Sequence, residues 1–219
     1  MKPKYYSILL AVLVLGCSHA QKPVSKVDKL NTTGIQQGDA IVVLSETRAN
    51  GKYHEEKIGE CISSAFKKQN SKIEILPSDE FRRTFFSDLN LPGGYSTKEA
   101  FDSMFANKQT LQRIKPYNIH YIVLTSLETL GFNKHIVDLG IYLESRVGQI
   151  TSVNGWVFDM TQQRESGKIA TRVEAEWTNR GLGPIPIYLG RGGTESKACQ
   201  AFGEEVAKFF MEKETNESL

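Results

Sequence analysis

Histidine and cysteine are scarce in this chain, four and three of 219 residues. The scarcity argues against metal chemistry. His19, His54, His120 and His135 include no pair four apart, and His54-Glu55-Glu56 lacks the second histidine of a zincin helix. No Cys-x-x-Cys occurs, which argues against a structural zinc site. No metal and no cofactor are expected. A Gly-x-Ser-x-Gly elbow is also missing. Gly167-Lys168 lacks the upstream glycine and the following Ser or Thr of a phosphate loop. Gly181-Leu182-Gly183 and the Gly190–Gly193 stretch join no strand to a helix at the spacing of a dinucleotide fingerprint. Asp138, Glu144 and Asp159 are scattered carboxylates at strand positions or strand ends. They can do acid/base work only if the fold gathers them, and sheet-end hydrogen bonding is the commoner use.

Charge of one sign is lacking too. Removing Lys2 and Lys4 from the 27 Lys and Arg leaves 25, equal to the 25 Asp and Glu. No basic run survives to suggest a nucleic-acid footprint, and no nucleic-acid partner is expected. A long apolar run is the last absence. The longest, Ile8 to Leu15, is far below the ~20 residues a membrane-spanning helix needs.

That run is what the beginning of the chain offers instead. Lys2 and Lys4 precede it, Gly16-Cys17 follow it, and together they have the layout of a secretory signal. Val14-Leu15-Gly16-Cys17 resembles the lipobox of bacterial lipoproteins, with Val where Leu is commoner at the first position. The resemblance implies diacylglycerol on the Cys17 thiol, cleavage between Gly16 and Cys17, and acylation of the new amino terminus. The competing reading is an ordinary signal cut near Ala20. Ser18, not Asp, follows Cys17, which in enteric-type sorting favours the outer membrane, facing the periplasm.

Export puts Cys61 and Cys199 in an oxidising compartment, where disulfides persist. Both fall on inward helix stripes, so they are a candidate disulfide. The alternative is two unconnected buried thiols.

Four segments follow from composition. Residues 1–16 read as signal peptide. Residues 17–38, polar and aperiodic, read as a flexible lipid-anchored tether with a reach of about 25 Å. Residues 39–212 read as one α/β domain, and 213–219 as a frayed tail. Within the domain, Ala40–Leu44 reads as a buried strand. Ile58, Cys61, Ile62, Ala65 and Phe66 form the stripe of an amphipathic helix. Lys72–Leu76 reads as a second strand, completing a βαβ unit with a parallel pair. Phe81, Phe85, Leu89, Phe101, Met104 and Phe105 recur at helical spacing and are expected to pack on the sheet. Strands over 120–130, 136–144, 150–160 and 169–177, with turns at 131–134 and 165–168 and a break at Gly148, predict an antiparallel meander of about four strands with one covered and one wetter face. The last helix starts at Thr194, with Cys199, Phe202, Val206, Phe209 and Phe210 inward. The fold class is α/β with a mixed sheet (α+β in its meander). Leu182, Ile185, Ile187, Tyr188 and Leu189 lie among glycines and prolines and are too apolar for a plain loop. They are expected to pack along the sheet edge, and they are also a candidate partner surface.

The order β-α-β, helices, four strands and a helix resembles a group of envelope proteins. It includes the curli-secretion lipoprotein CsgG, the N-terminal domain of TolB and the lipoprotein activators of penicillin-binding proteins. The residues that carry the likeness are Ile41–Leu44, the helix around Cys61–Phe66, Ile73–Ser78, Tyr121–Thr125, and Val157–Asp159 leading to Ser166–Lys168. The resemblance implies a small mixed-sheet domain used for protein–protein contact, with no catalytic residues to carry over. Lys134, His135 and Asp138 fill the turn of the one hairpin that could be pressed into a pore-like span. The expected function is therefore that of a lipid-anchored envelope protein that binds other envelope proteins and is not an enzyme. The alternatives are a subunit of a secretion or export assembly and a periplasmic hydrolase acting on envelope polymer.

Overall fold

The computed structural model describes residues 19–20, 22–31, 33–36, 38–45, 51–69, 73–76, 78–81, 106, 108–138, 142–182, 185–188 and 193–211. In chain order the strands are β1 (His19–Ala20), β2 (Val24–Lys29), β3 (Ala40–Ser45), β4 (Glu74–Leu76), β5 (Ile119–Asp138), β6 (Tyr142–Asp159), β7 (Arg164–Leu182) and β8 (Ile185–Tyr188). The helices are α1 (Gly51–Lys68), α2 (Ser78–Phe81), α3 (Lys108–Ile114, followed by a 3-10 turn Lys115–Tyr117) and α4 (Thr194–Met211). The strands make one mixed sheet in the order β1-β7-β6-β5-β3-β4, with β2 and β8 also on β7. The chain divides into two compact units. One holds residues 23–128, 152–172 and 196–219, and the other the described parts of 1–22, 129–151 and 173–195.

The larger unit is a layered α/β fold. Its βαβ unit forms as expected: β3 is parallel to β4 and also to β5. Both faces of the central strands are covered. On one face Phe202 of α4 sits against Gly155 of β6, and Phe210 packs on Tyr121 of β5 at 4.8 Å between ring centroids. Phe66 of α1 lies 6.2 Å from Phe210. On the other face Val42, Leu44, Ile122, Leu124 and Phe158 cluster with Phe81 of α2 and Leu111 of α3. The wetter face expected of the meander is present on β6 and β7, where buried residues alternate with half-buried or exposed ones over 151–157 and 171–176, and β3 differs from them. Parallel pairing with helices on both sides buries alternate residues equally, and every residue of β3 is buried.

The two long helices lie side by side because of one glycine. A Cβ on Gly203 would come 2.6 Å from the Cys61 carbonyl oxygen and 2.8 Å from its carbon. Backbone cannot yield as a side-chain tip does. Gly203→Ala is therefore expected to cost about 2–3 kcal/mol through overpacking, read as a lower urea midpoint with an unchanged slope. A loss under 1 kcal/mol would show that the helices have room to part. The same approach sets the Cα atoms of Cys61 and Cys199 5.8 Å apart, and the two are joined as a disulfide. That distance is the usual one for such a bond.

Two expectations are corrected. First, the meander has three long strands, not four short ones, and β5 and β6 run through the expected turn at 131–134 and the expected break at Gly148. The Phe132 ring lies where a Gly148 side chain would be. The glycine marks close cross-strand cover by an aromatic, not an interruption. Three residues separate β5 from β6, which permits only an antiparallel return.

Second, the described residues within the expected tether 17–38 are not free. β2 pairs with β7 from Val24↔Arg172 to Lys29↔Gly167, and β1 pairs at His19↔Glu176 and Ala20↔Ala175. Beyond β2, the Leu30 amide donates to the Ser166 carbonyl, and Thr33 Oγ1 donates to the Phe209 carbonyl at 3.2 Å. Ile185–Tyr188 lies along the sheet edge as expected, as a strand on β7 from Asn179↔Tyr188 to Leu182↔Ile185. Phe81 is buried at the core as expected. Phe85, Leu89, Phe101, Met104 and Phe105 lie outside the described residues.

Candidate functional site

The feature that organises the site is a bulge at the start of β5. Ala40 pairs with Ile119, but Ile41 pairs with Tyr121, so His120 has no partner on β3. An extra residue in one strand re-aims its side chain. The His120 ring stacks on Tyr121 at 4.6 Å and nearly parallel. Its Nδ1 lies 2.8 Å from Asp39 Oδ2. A carboxylate oxygen accepts, so Nδ1 carries the proton, and Nε2 keeps a lone pair while the ring is neutral. The Gln36 amide donates to the same oxygen at 2.6 Å, which holds Asp39 in place.

Backbone strain borders the bulge. Asn118 and Gln163 have φ of 51° and 55°, and they are the non-glycine residues with positive φ among those described. Such conformations cost about 1–3 kcal/mol each and collect where the surroundings enforce them. Both residues line the same cavity, of about 650 Å³, with Asp39, His120, Met160 and Thr161 on its sheet side and Lys108, Leu111 and Lys115 from α3 and the turn after it. Its size is that of a small-ligand pocket or a socket for a partner's side chains. Thr161 supplies the one hydroxyl among the described lining residues, and no cysteine lines it. The arrangement offers a fixed imidazole, a carboxylate and two ammonium groups, which suits polar recognition. No group of three His, Cys, Asp or Glu side chains that could hold a metal occurs among the described residues.

Asp159 stands behind the bulge and is buried. Its Oδ1 accepts from the amides of Thr161 and Gln162, both at 2.8 Å, closing the turn between β6 and β7. Its charge also acts on Tyr121, whose hydroxyl accepts from the Gly34 amide at 3.0 Å. Asp159 therefore holds the sheet end together. Burial first, and then the Asp159 charge, pushes the Tyr121 hydroxyl from 10.0 up to about 12. Below pH 10 both folded and unfolded tyrosine keep the proton, and this stabilisation is complete. Between pH 10 and about 12 only the unfolded state ionises, so stability falls as pH rises. At about 1.4 kcal/mol per unit the loss is roughly 2–3 kcal/mol. Tyr121→Phe is expected to flatten that limb of a denaturant-midpoint profile; parallel profiles would contradict it.

The other candidate residues fall as follows. Cys61 and Cys199 are bonded to each other. Gly16 and Cys17 lie outside the described residues. Leu182, Ile185, Ile187 and Tyr188 belong to β7 and β8, and Leu189 lies outside the described residues. Asp138 and Glu144 fall in β5 and β6, but their side chains are outside those described. The His120–Asp39 pair was not legible beforehand. A bulge is a property of pairing, and its trace in the sequence is a polar histidine at the head of an apolar run.

No protein-family profile matches the sequence, and no curated protein matches it. Several solved structures align with the chain. The PelC dodecamer from Paraburkholderia phytofirmans aligns over 87% of this chain and 99% of its own, at 13% identity and a TM-score of 0.38. Lipoprotein GNA1162 from Neisseria meningitidis aligns over 78% and 99%, at 12% identity and 0.34. A neuraminyllactose-binding hemagglutinin homolog from Helicobacter pylori aligns over 83% and 87%, at 8% identity and 0.37. Likeness at this level does not carry a function across.

Proposed function

We propose that this protein is a cell-envelope lipoprotein, anchored through Cys17 and facing the periplasm, whose α/β fold works by binding other envelope proteins. The observation that carries the reading is Val14-Leu15-Gly16-Cys17 closing the apolar run Ile8–Leu15 behind Lys2 and Lys4. The Cys61–Cys199 disulfide supports it, since such bonds persist in oxidising compartments. Ser18 after the anchor favours the outer membrane. Among the described residues no helix is long and apolar enough to cross a membrane. The role is that of an assembly scaffold or regulator and not catalysis, and the alternative is a subunit of a secretion or export assembly.

The experiment is affinity isolation of the full chain from crosslinked envelopes, beside a Cys17→Ser form. Specific partners that disappear with the anchor are the expected result. Two clean lanes would overturn the binding role. The His120–Asp39 pair in its cavity favours the hydrolase alternative. Turnover of an envelope polymer that vanishes in His120→Gln would carry that reading instead.

A further inference from the structure

β2 is an edge strand of the larger unit. Among the described residues its one strand partner is β7, from Val24↔Arg172 to Lys29↔Gly167. The Leu30 amide donates to the Ser166 carbonyl, and the Asp28 carbonyl also faces β7, against Gly167. Backbone direction alternates along an antiparallel strand. The N–H and C=O of Ser25 and Val27 therefore point away from β7. Pro23 has no N–H to offer, and the Asn31 amide is turned back to Ser166. The outward ladder is bounded at both ends.

The side chains divide in the same way. Lys29 lies over the Phe209 ring of α4 at 5.3 Å, and Ser25 Oγ is 3.2 Å from Thr171 Oγ1. Odd-numbered side chains thus face α4, and Val24, Lys26, Asp28 and Leu30 share the opposite face. Val24 is 71% exposed and Leu30 62%. Between them Lys26 and Asp28 form an exposed ion pair at 3.0 Å. The order along this face is apolar, cation, anion, apolar. Turned end for end it reads apolar, anion, cation, apolar, which is its own complement.

An antiparallel second copy of β2 centred on Val27 matches this order. Lys26 then meets Asp28 of the second copy, Val24 meets Leu30, and Val27 exchanges both backbone bonds with its own counterpart. Lys29 falls opposite Ser25. Moving the centre to Lys26 or to Asp28 sets like charges directly opposite, which is destabilising. Edge lysines ordinarily guard a sheet against such pairing. Here the neighbouring acid turns the same lysine into a mark of register.

We propose that β2 is a self-association edge: two copies of this chain pair their β2 strands antiparallel about a twofold axis at Val27, joining two sheets into one. The contact is isologous and closes at the dimer. The occupant of this edge is a second copy, selected by the charge complement of Lys26 and Asp28. The inference goes beyond the binding of other envelope proteins and does not depend on the lipid anchor.

The test uses the full-length chain purified in detergent, with single cysteines added on β2. Opposed hydrogen-bonded residues lie about 5.5 Å apart between Cα atoms, within reach of a disulfide. On mild oxidation Val27→Cys is expected to convert mostly to a covalent dimer, while the parent chain does not. Lys26→Cys and Asp28→Cys each lie two strand positions from their own counterpart, beyond the ~7 Å limit for a disulfide. Each alone should stay monomeric, and the two mixed should crosslink to each other. Light scattering of the unmodified chain is expected to give the mass of a dimer, and a monomer mass would overturn the inference. So would a Val27→Cys chain that keeps the parent's thermal midpoint and stays uncrosslinked. Equal yields at positions 26, 27 and 28, the mark of random collision, would overturn it as well.

Discussion

Replacing Cys17 with serine is expected to abolish incorporation of labelled fatty acid completely. The thiol is the only group at that position able to take the diacylglyceryl transfer that the lipobox resemblance implies. Cleavage between residues 16 and 17 depends on that modified side chain, so the mature species should be lost with the label. The variant should then migrate as a precursor or as a product cut elsewhere, near Ala20. Labelling and gel mobility read both effects in one experiment. A variant that keeps its label would place the lipid on another residue. A parent that never takes label would return residues 1–20 to an ordinary signal.

The second large effect concerns stability. Cys61 and Cys199 are 138 residues apart in sequence. Closing so long a loop removes much of the freedom of the unfolded chain, and the chain-entropy relation gives an upper figure of about 5 kcal/mol. The double substitution Cys61→Ala with Cys199→Ala is expected to lose roughly 3–5 kcal/mol. For a chain of this size that lowers the thermal midpoint by about 10–15 °C. Single substitutions should lose about as much, since either one opens the loop. Thermal unfolding of the detergent-extracted full chain, with and without reductant, reads the same quantity. A midpoint unmoved by reductant and by both substitutions would mean that α1 and α4 hold together through packing alone. The packing is substantial: Ile58, Ile62, Phe66, Phe202 and Phe210 are all buried at this contact or next to it.

These two effects rest on features that the sequence displays openly, and the reason is periodicity. α1 buries Ile58, Ile62, Ala65 and Phe66, the stripe that a 3.6-residue repeat predicts. α4 does the same with Cys199, Phe202, Val206 and Phe210. Two inward cysteines on two such stripes were a readable pair. β3 was readable because it is apolar throughout, and its parallel partner β4 because helix-sized spacing separates them.

The features that escaped are those that side-chain pattern does not encode. β2 has no apolar alternation, since five of its six residues are exposed. Val24 is 71% exposed. Its stability comes from the backbone ladder to β7 and from Thr33, Leu30 and Gly34 pinned beyond it, and a lysine-rich edge strand reads as linker. Gly148 read as a break because the ring that covers it is sixteen positions away on another strand. The bulge at His120 escaped for the same reason, since register is set between strands. With it escaped the pairing of His120 with Asp39: Asp39 precedes β3 and His120 is the second residue of β5, and the parallel pairing of those strands brings them to 2.8 Å.

The central claim is that the chain ends its maturation at a lipid-bearing Cys17. Mass spectrometry of the amino-terminal peptide, from protein extracted out of envelopes, tests it most directly. The account predicts a peptide that begins at Cys17 and carries a diacylglyceryl group and an amide-linked acyl chain. An unmodified peptide that begins after Ala20, or one that retains Gly16, would contradict it.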